Sequence, residues 1–301
     1  MKIIRRIVAE EFPFILACPA LVWQVFFLFL PVCVLLLYSF FELIPGHWLG
    51  SFTLDYYRQI VHSRALWAIL NSSILALITS TICFVLAYPL AYFLAIKVAK
   101  KLRMFFLFLL ILPSWTSIVV QVYAWFFLLD KKGYLTQFLY NAGFISDNFH
   151  FLNSYGTILI GMVSAYLPFM VFPIYAVLER MDKRFLEASA DLGANGRETF
   201  RRVVFPLSLP GVYAGFLLVF IPSFGEFAIP SLLGGSKYAF WGSVIVDRFL
   251  RSRDWRSGAA LAILGVSIPV MLVASSFIVK KIIEIKKRRE KKRLTAVKDQ
   301  W

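Results

Sequence analysis

The chain is poor in acid: 17 Asp and Glu stand against 32 Lys and Arg in 301 residues, a net charge of +15. It is also poor in the residues that build metal and thiol sites, with three His and three Cys. Cys18, Cys33 and Cys83 all lie inside apolar runs, are odd in number and lack metal-ligand spacing, which excludes a disulfide scaffold and leaves them as small hydrophobes. No phosphate cradle of the form G-x4-G-K-[ST] occurs. Gly193-x-x-Gly196-Arg197 and Gly234-Gly235-Ser236-Lys237 are too short and lack the following hydroxyl, so any nucleotide chemistry belongs to a partner and no cofactor is expected. What the chain has in excess is apolar surface. With 60% hydrophobic and 17% aromatic residues it is too apolar for two soluble domains, and disorder and collagen are excluded.

Five stretches carry no charge and are long enough to cross a hydrocarbon layer of about 30 Å: Phe12–Phe41, Leu66–Ile96, Met104–Leu129, Gly156–Leu178 and Ala259–Val279. A sixth, Gly211–Leu233, carries only Glu226 and is interrupted by Pro222, Gly225 and Pro230. The first run is too long for the core of a secretory signal and is expected to stay. The reading is an all-α polytopic membrane protein with six transmembrane helices. An even number of spans puts both termini on one side, and basic residues mark the side that is not translocated. Of the 32 Lys and Arg, 23 lie in 1–13, 97–103, 179–210 and 280–301, against nine in 42–65, 130–155 and 234–258. Both termini are therefore expected in the cytoplasm. The tail, with Lys286, Lys287, Arg288, Arg289, Lys291, Lys292 and Arg293, is read as solvated or facing anionic lipid, with no nucleic-acid role.

Most inner loops are short, yet Glu179–Pro210 runs for about thirty residues, a length that asks for structure. Asp182 can cap a short helix, Phe185, Leu186, Ala188 and Leu192 give it an apolar side, and Gly193 supplies a left-handed residue to end it. A second helical stretch, Arg197–Val204, then runs to Pro206. The expected product is a compact knob of two helices on the cytoplasmic face.

The spacing Glu187-Ala188-Ser189, Gly193 after three residues, and Val203-x-Phe205-Pro206 after nine more resembles the EAA loop of ABC importer permeases, E-A-A-x3-G-x9-I-x-L-P. Ser189, Val203 and Phe205 depart from it while keeping a small and two apolar residues. The resemblance implies a type I ABC importer permease fold in which Glu187, Ala188, Ser189, Asp191, Gly193 and Pro206 couple the chain to a separate ATPase. It also implies a core of five helices over 66–283, preceded by a segment with the first span at 1–65 and followed by a basic tail at 284–301. The implied partners are a second permease subunit, two ATPase subunits, an extracytoplasmic solute-binding protein and membrane lipid.

Further stretches resemble the permease subunits of spermidine/putrescine importers: Leu112-Pro113-Ser114-Trp115-Thr116-Ser117, Val122-Tyr123-Ala124-Trp125, Leu167-Pro168-Phe169-Met170-Val171, Gly225-Glu226-Phe227-Ala228-Ile229-Pro230 and Arg253-Asp254-Trp255. In one place the resemblance sets a basic side chain where this sequence has Gln121. A polyamine is the substrate so implied, with iron, thiamine or another small solute of related importers as the alternative. Glu226, the one ionisable group within the six spans, either draws a substrate ammonium, pairs with the second permease, or accepts hydrogen bonds from backbone freed by Gly225 and Pro230. Trp115, Tyr123 and Trp125 either offer cation–π faces along a path or form an aromatic belt at the membrane interface. The outer loops hold six acidic residues, Glu42, Asp55, Asp130, Asp147, Asp247 and Asp254, too few for an acidic funnel. Two rival classes are weaker. An ion-coupled transporter needs an inverted repeat, which is not visible. An enzyme needs a catalytic constellation on the helices, whereas His47, His62 and His150 all fall in outer loops.

Overall fold

The computed structural model describes residues 2–41, 51–62, 65–146, 149–271 and 274. The basic tail and the end of the expected span Ala259–Val279 lie outside the described residues. Apart from one bridge between Phe41 and Phe52, the regular structure there is helical. That is the outcome apolar runs require, because backbone N–H and C=O groups in hydrocarbon find partners only within a helix or a closed barrel.

The helices in order are α1 (Lys2–Phe40), α2 (Asp55–His62), α3 (Ala65–Tyr92, continued by a π turn at Phe93–Lys97), α4 (Lys100–Ile111), α5 (Ile118–Leu129), α6 (Tyr134–Asn141) and α7 (Tyr155–Glu179). They are followed by α8 (Arg184–Asp191), α9 (Gly196–Thr199), a π turn at Phe200–Val204, α10 (Phe205–Gly225), α11 (Ala228–Leu233), α12 (Trp241–Val246) and α13 (Trp255–Met271). Two compact units divide the chain: Met1–Ser63 with Arg248–Trp301, and Arg64–Asp247.

Among the described residues four helices are long and apolar enough to cross a membrane: Ala17–Phe40, Ala65–Lys97, Tyr155–Glu179 and Gly196–Gly225. Two of the expected spans differ. Met104–Leu129 is not one rod: α4 and α5 meet at a 90° bend, and counting the bent pair as one span gives five. A 3-10 turn at Leu112–Trp115 begins the break, Thr116 is extended, and α5 starts only at Ile118. Gln121 closes the elbow by donating from its side-chain amide to the Pro113 carbonyl and, at 3.0 Å, to Thr116 Oγ1. The expected span Gly211–Leu233 is shifted toward the N-terminus, because the helix runs unbroken from Gly196 to Gly225 and stops before Glu226. Pro206 does not end the second arm of the loop. Its missing N–H and its ring are tolerated because the π turn just before it already departs from regular i to i−4 bonding.

The core of the second unit is built by α3, α7 and α10. Gly211 and Gly215, one turn apart on α10, let it press against α7: a Cβ on Gly211 would lie 2.6 Å from the Pro173 carbonyl, and one on Gly215 2.8 Å from Met170 Sδ. Small residues at this spacing are how helices approach closely when lipid removes the hydrophobic drive between them. A buried hydrogen bond of 2.7 Å between Tyr88 and Ser208 then ties α3 to α10.

Candidate functional site

The loop that follows α7 is held by an attachment at each end and by one bond between its own arms. At its entrance, Arg103 donates to the Val98 carbonyl at 3.2 Å and pairs with Glu179, the last residue of α7, at 3.5 Å. At its exit, Phe200 stacks edge-on against Tyr88 at 5.5 Å and Tyr92 at 6.0 Å, and Val204 is buried. Between the two arms, the hydroxyls of Ser189 and Thr199 lie 2.9 Å apart.

Local sequence explains the turn between the arms. Asp182 Oδ1 accepts from the Arg184 N–H at 3.0 Å, satisfying a donor at the start of α8 as expected. At the other end Gly193 has φ 75°, its N–H donates to Ala190, and the Ala194 N–H donates to Ser189. This pair of bonds is a Schellman ending, which needs a left-handed residue and so favours glycine. Asn195 and Glu198 then form a reciprocal capping box that starts α9. The signal for it in the sequence is an Asn three residues before a Glu.

The expected apolar side of α8 divides between two faces. Leu186 packs against the core and Ser189 is 8% exposed, whereas Phe185 is 53% exposed and Leu192 88% exposed. Glu187, Ala188 and Asp191 are exposed with them, and the two carboxylates have no side-chain partner among the described residues. Beside Phe185 a cavity of about 460 Å³ opens between the end of α7 and the start of α10, lined by Val177, Met181 and Leu207 among others. Pro206 lies in the first turn of α10, on the arm that leads from this knob into the core.

The expected path residues are placed separately. Trp115 is 71% exposed at the α4–α5 elbow and meets Phe108 edge-on at 6.0 Å. Tyr123 is half-exposed and stacks on Phe127 at 6.4 Å. Trp125 turns inward, its indole N–H donating to Ser164 Oγ at 2.8 Å. Glu226 uses both carboxylate oxygens: Oε1 accepts from the N–H groups of Phe227 (3.0 Å) and Ala228 (2.8 Å), and Oε2 accepts from the Tyr166 hydroxyl at 2.6 Å. The anchors of Trp125 and Glu226, Ser164 and Tyr166, are two residues apart on α7 and so project about 200° apart. Trp125 and Glu226 are therefore held by different faces of α7.

The family described as "Binding-protein-dependent transport system inner membrane component" matches residues 87–289. The spermidine/putrescine transport system permease protein PotB of Escherichia coli (strain K12) is 40% identical over 266 residues, covering 86% of this chain and 96% of that one. PotB of Haemophilus influenzae is 35% identical, covering 86% and 90%. A bacterial ABC transporter involved in importing the acidic polysaccharide alginate contains a chain of the same fold, with a TM-score of 0.70 over 91% of this chain and 96% of that one at 17% identity.

Proposed function

The chain belongs to the family of binding-protein-dependent transport system inner membrane components, and on that premise we propose that it is the permease subunit of an ATP-driven importer of polyamines. The observation that carries the coupling part of this reading is α8. A rigidly anchored helix presents Phe185, Glu187, Ala188, Asp191 and Leu192 to solvent at the positions where the E-A-S-x3-G spacing falls. An isolated chain has no reason to hold Leu192 almost fully exposed on a structured knob. A partner that covers this face supplies one.

The partner is a separate ATPase subunit, since the chain has no nucleotide cradle of its own. ATP binding would close a pair of ATPases and push on α8. The Ser189–Thr199 bond, the Gly193 turn and the arm through Pro206 carry that push into α10 as a rigid body, and Gly211 and Gly215 pass it to α7. A second permease subunit, similar to this one, completes the pathway, and an extracytoplasmic solute-binding protein delivers the substrate. Both termini face the cytoplasm, which is the orientation the asymmetry of basic residues favours and the only one in which an ATPase reaches α8. The core of five helices is assigned to 66–283, with 1–65 and the basic 284–301 outside it.

For the substrate path, Trp115 and Tyr123 remain exposed aromatic faces able to stack on an ammonium. Trp125 and Glu226 contribute by shaping it: one is held by Ser164, and the other caps α11 and takes the Tyr166 hydroxyl. The test is uptake of labelled spermidine and putrescine into proteoliposomes holding the whole complex, with ATP inside and binding protein outside. ATP-dependent accumulation is expected, and it is expected to fall at least about tenfold with Glu187→Lys, a loss of about 1.4 kcal/mol or more in coupling. Accumulation of ferric iron or thiamine in place of polyamine would replace the substrate and keep the rest.

A further inference from the structure

The first unit contains a pocket that the transport cycle as described leaves unused. It has a volume of about 600 Å³ and is lined by Tyr38, Tyr56, Arg253, Asp254, Trp255 and Arg256. Its walls are fixed. Tyr38 lies near the end of α1, and α2, which carries Tyr56, is held there by a Thr53 N–H to Phe40 carbonyl bond of 2.8 Å and by Phe40 stacking on Tyr57 at 5.1 Å. Arg256 donates to the Tyr56 hydroxyl at 3.2 Å. Trp255 is 59% exposed and stands edge-on to Phe249 at 5.6 Å.

The charge of this pocket is decided by Asp254. Its Oδ1 accepts from the Ser257 N–H at 3.1 Å, and its own N–H donates to the Arg248 carbonyl at 2.9 Å, so the carboxylate caps α13. Arg253 is exposed, has no partner among the described residues, and holds φ 52°. A non-glycine residue in the left-handed region is uncommon and persists where something other than local backbone preference keeps it. The open guanidinium of Arg253, with Arg256 held on Tyr56 beside it and one partly committed carboxylate, leaves the pocket with an excess of positive charge that suits an incoming acid. That charge opposes an ammonium, which the three aromatic rings alone would accept.

We propose that this pocket receives an acidic side chain on the surface of the extracytoplasmic solute-binding protein, with Arg253 as its principal ligand. The assignment rests on the importer reading above, which places the end of α1 and the start of α13 on the outer side. Charge complementarity favours this occupant: the outer loops hold nine Lys and Arg against six acids. Such a contact sets encounter rate, salt dependence and register more than total affinity.

The experiment uses the assembled transporter in nanodiscs of neutral lipid and follows ATP hydrolysis as polyamine-loaded binding protein is titrated. Arg253→Gly removes the guanidinium at a backbone angle glycine adopts freely, so a purely structural role predicts an unchanged or more stable complex. The expected result is a rise of about tenfold in the binding-protein concentration giving half-maximal stimulation, with a shallower dependence on salt. Basal hydrolysis and the maximal rate should stay as in the unsubstituted complex, and Arg253→Lys should fall between. A titration of Arg253→Gly that overlays the unsubstituted one overturns the assignment alone. A defect that needs anionic lipid in the nanodisc overturns it in favour of a headgroup site. An unsubstituted complex whose hydrolysis ignores the binding protein overturns the importer reading itself.

Discussion

Two places in this chain set a carboxylate beside a glycine and a short helix, and the two are built in opposite ways. In the loop before α10, Glu187 and Asp191 stand exposed on α8 without a side-chain partner among the described residues, ahead of Gly193. At the break after α10, Glu226 follows Gly225 and has both oxygens committed, to two backbone N–H groups and the Tyr166 hydroxyl. A saturated carboxylate is spent on folding. One left open on an anchored helix remains available for recognition. A charge count treats the intramembrane glutamate as the more conspicuous group, and hydrogen bonding reverses that order.

The largest effect expected from this contrast is at the elbow. A Cβ at Gly193 would meet no neighbouring atom within 4 Å, so the effect expected of Gly193→Val comes from φ 75°. A left-handed L-residue costs about 1–2 kcal/mol, more when β-branched, enough to depopulate the turn several-fold or more. Membrane insertion should be unchanged while polyamine uptake is lost. Full uptake with Gly193→Val would remove the difference between this loop and an ordinary connector. Next comes Glu226→Gln, which keeps size and one acceptor but loses the charge in three hydrogen bonds. Recovery of intact complex should drop while uptake per recovered complex stays within about threefold of the unsubstituted rate. Normal recovery with uptake reduced tenfold would instead make Glu226 a substrate ligand and break the comparison. The smallest effect is Ser189→Ala, which strands the half-buried Thr199 hydroxyl at a cost of about 1 kcal/mol or less. Uptake should fall about two- to threefold, and adding Thr199→Val should restore it; additive losses would mean that the pair is not what joins the two arms.

How far the sequence carried the fold depended on the kind of signal. Gly193 was legible because a glycine ending an amphipathic turn states a backbone requirement, and Asp182 because a capping oxygen is a local device. The 90° elbow was not, since Met104–Leu129 is continuously apolar and hydropathy says nothing about where Pro113, Thr116 and Gln121 exchange hydrogen bonds. Pro206 is the opposite case: a proline suggests a stop, but the π turn at Phe200–Val204 absorbs it and the helix continues to Gly225. The outward face of α8 was out of reach as well. Phe185, Ala188 and Leu192 have the spacing of a core-facing stripe, and only the packing shows that Leu186 and Ser189 are the residues turned inward. Arg253 belongs to a stretch that resembles related permeases, while its backbone angle is visible only in three dimensions.

The central claim is that the exposed face of α8 is covered by an ATPase subunit on the cytoplasmic side, and short-range cross-linking from Ala188→Cys tests it most directly. In a background with Cys18, Cys33 and Cys83 replaced, membranes bearing the assembled complex would be treated with a maleimide cross-linker whose second arm is photoactivated and needs no thiol on the partner, then probed for both subunits. The account predicts an adduct of this chain with the ATPase from Ala188→Cys and none from an outer-loop control, Lys237→Cys. Absence of the Ala188→Cys adduct in an assembled complex, or labelling of that cysteine by a membrane-impermeant maleimide added outside intact cells, would contradict it.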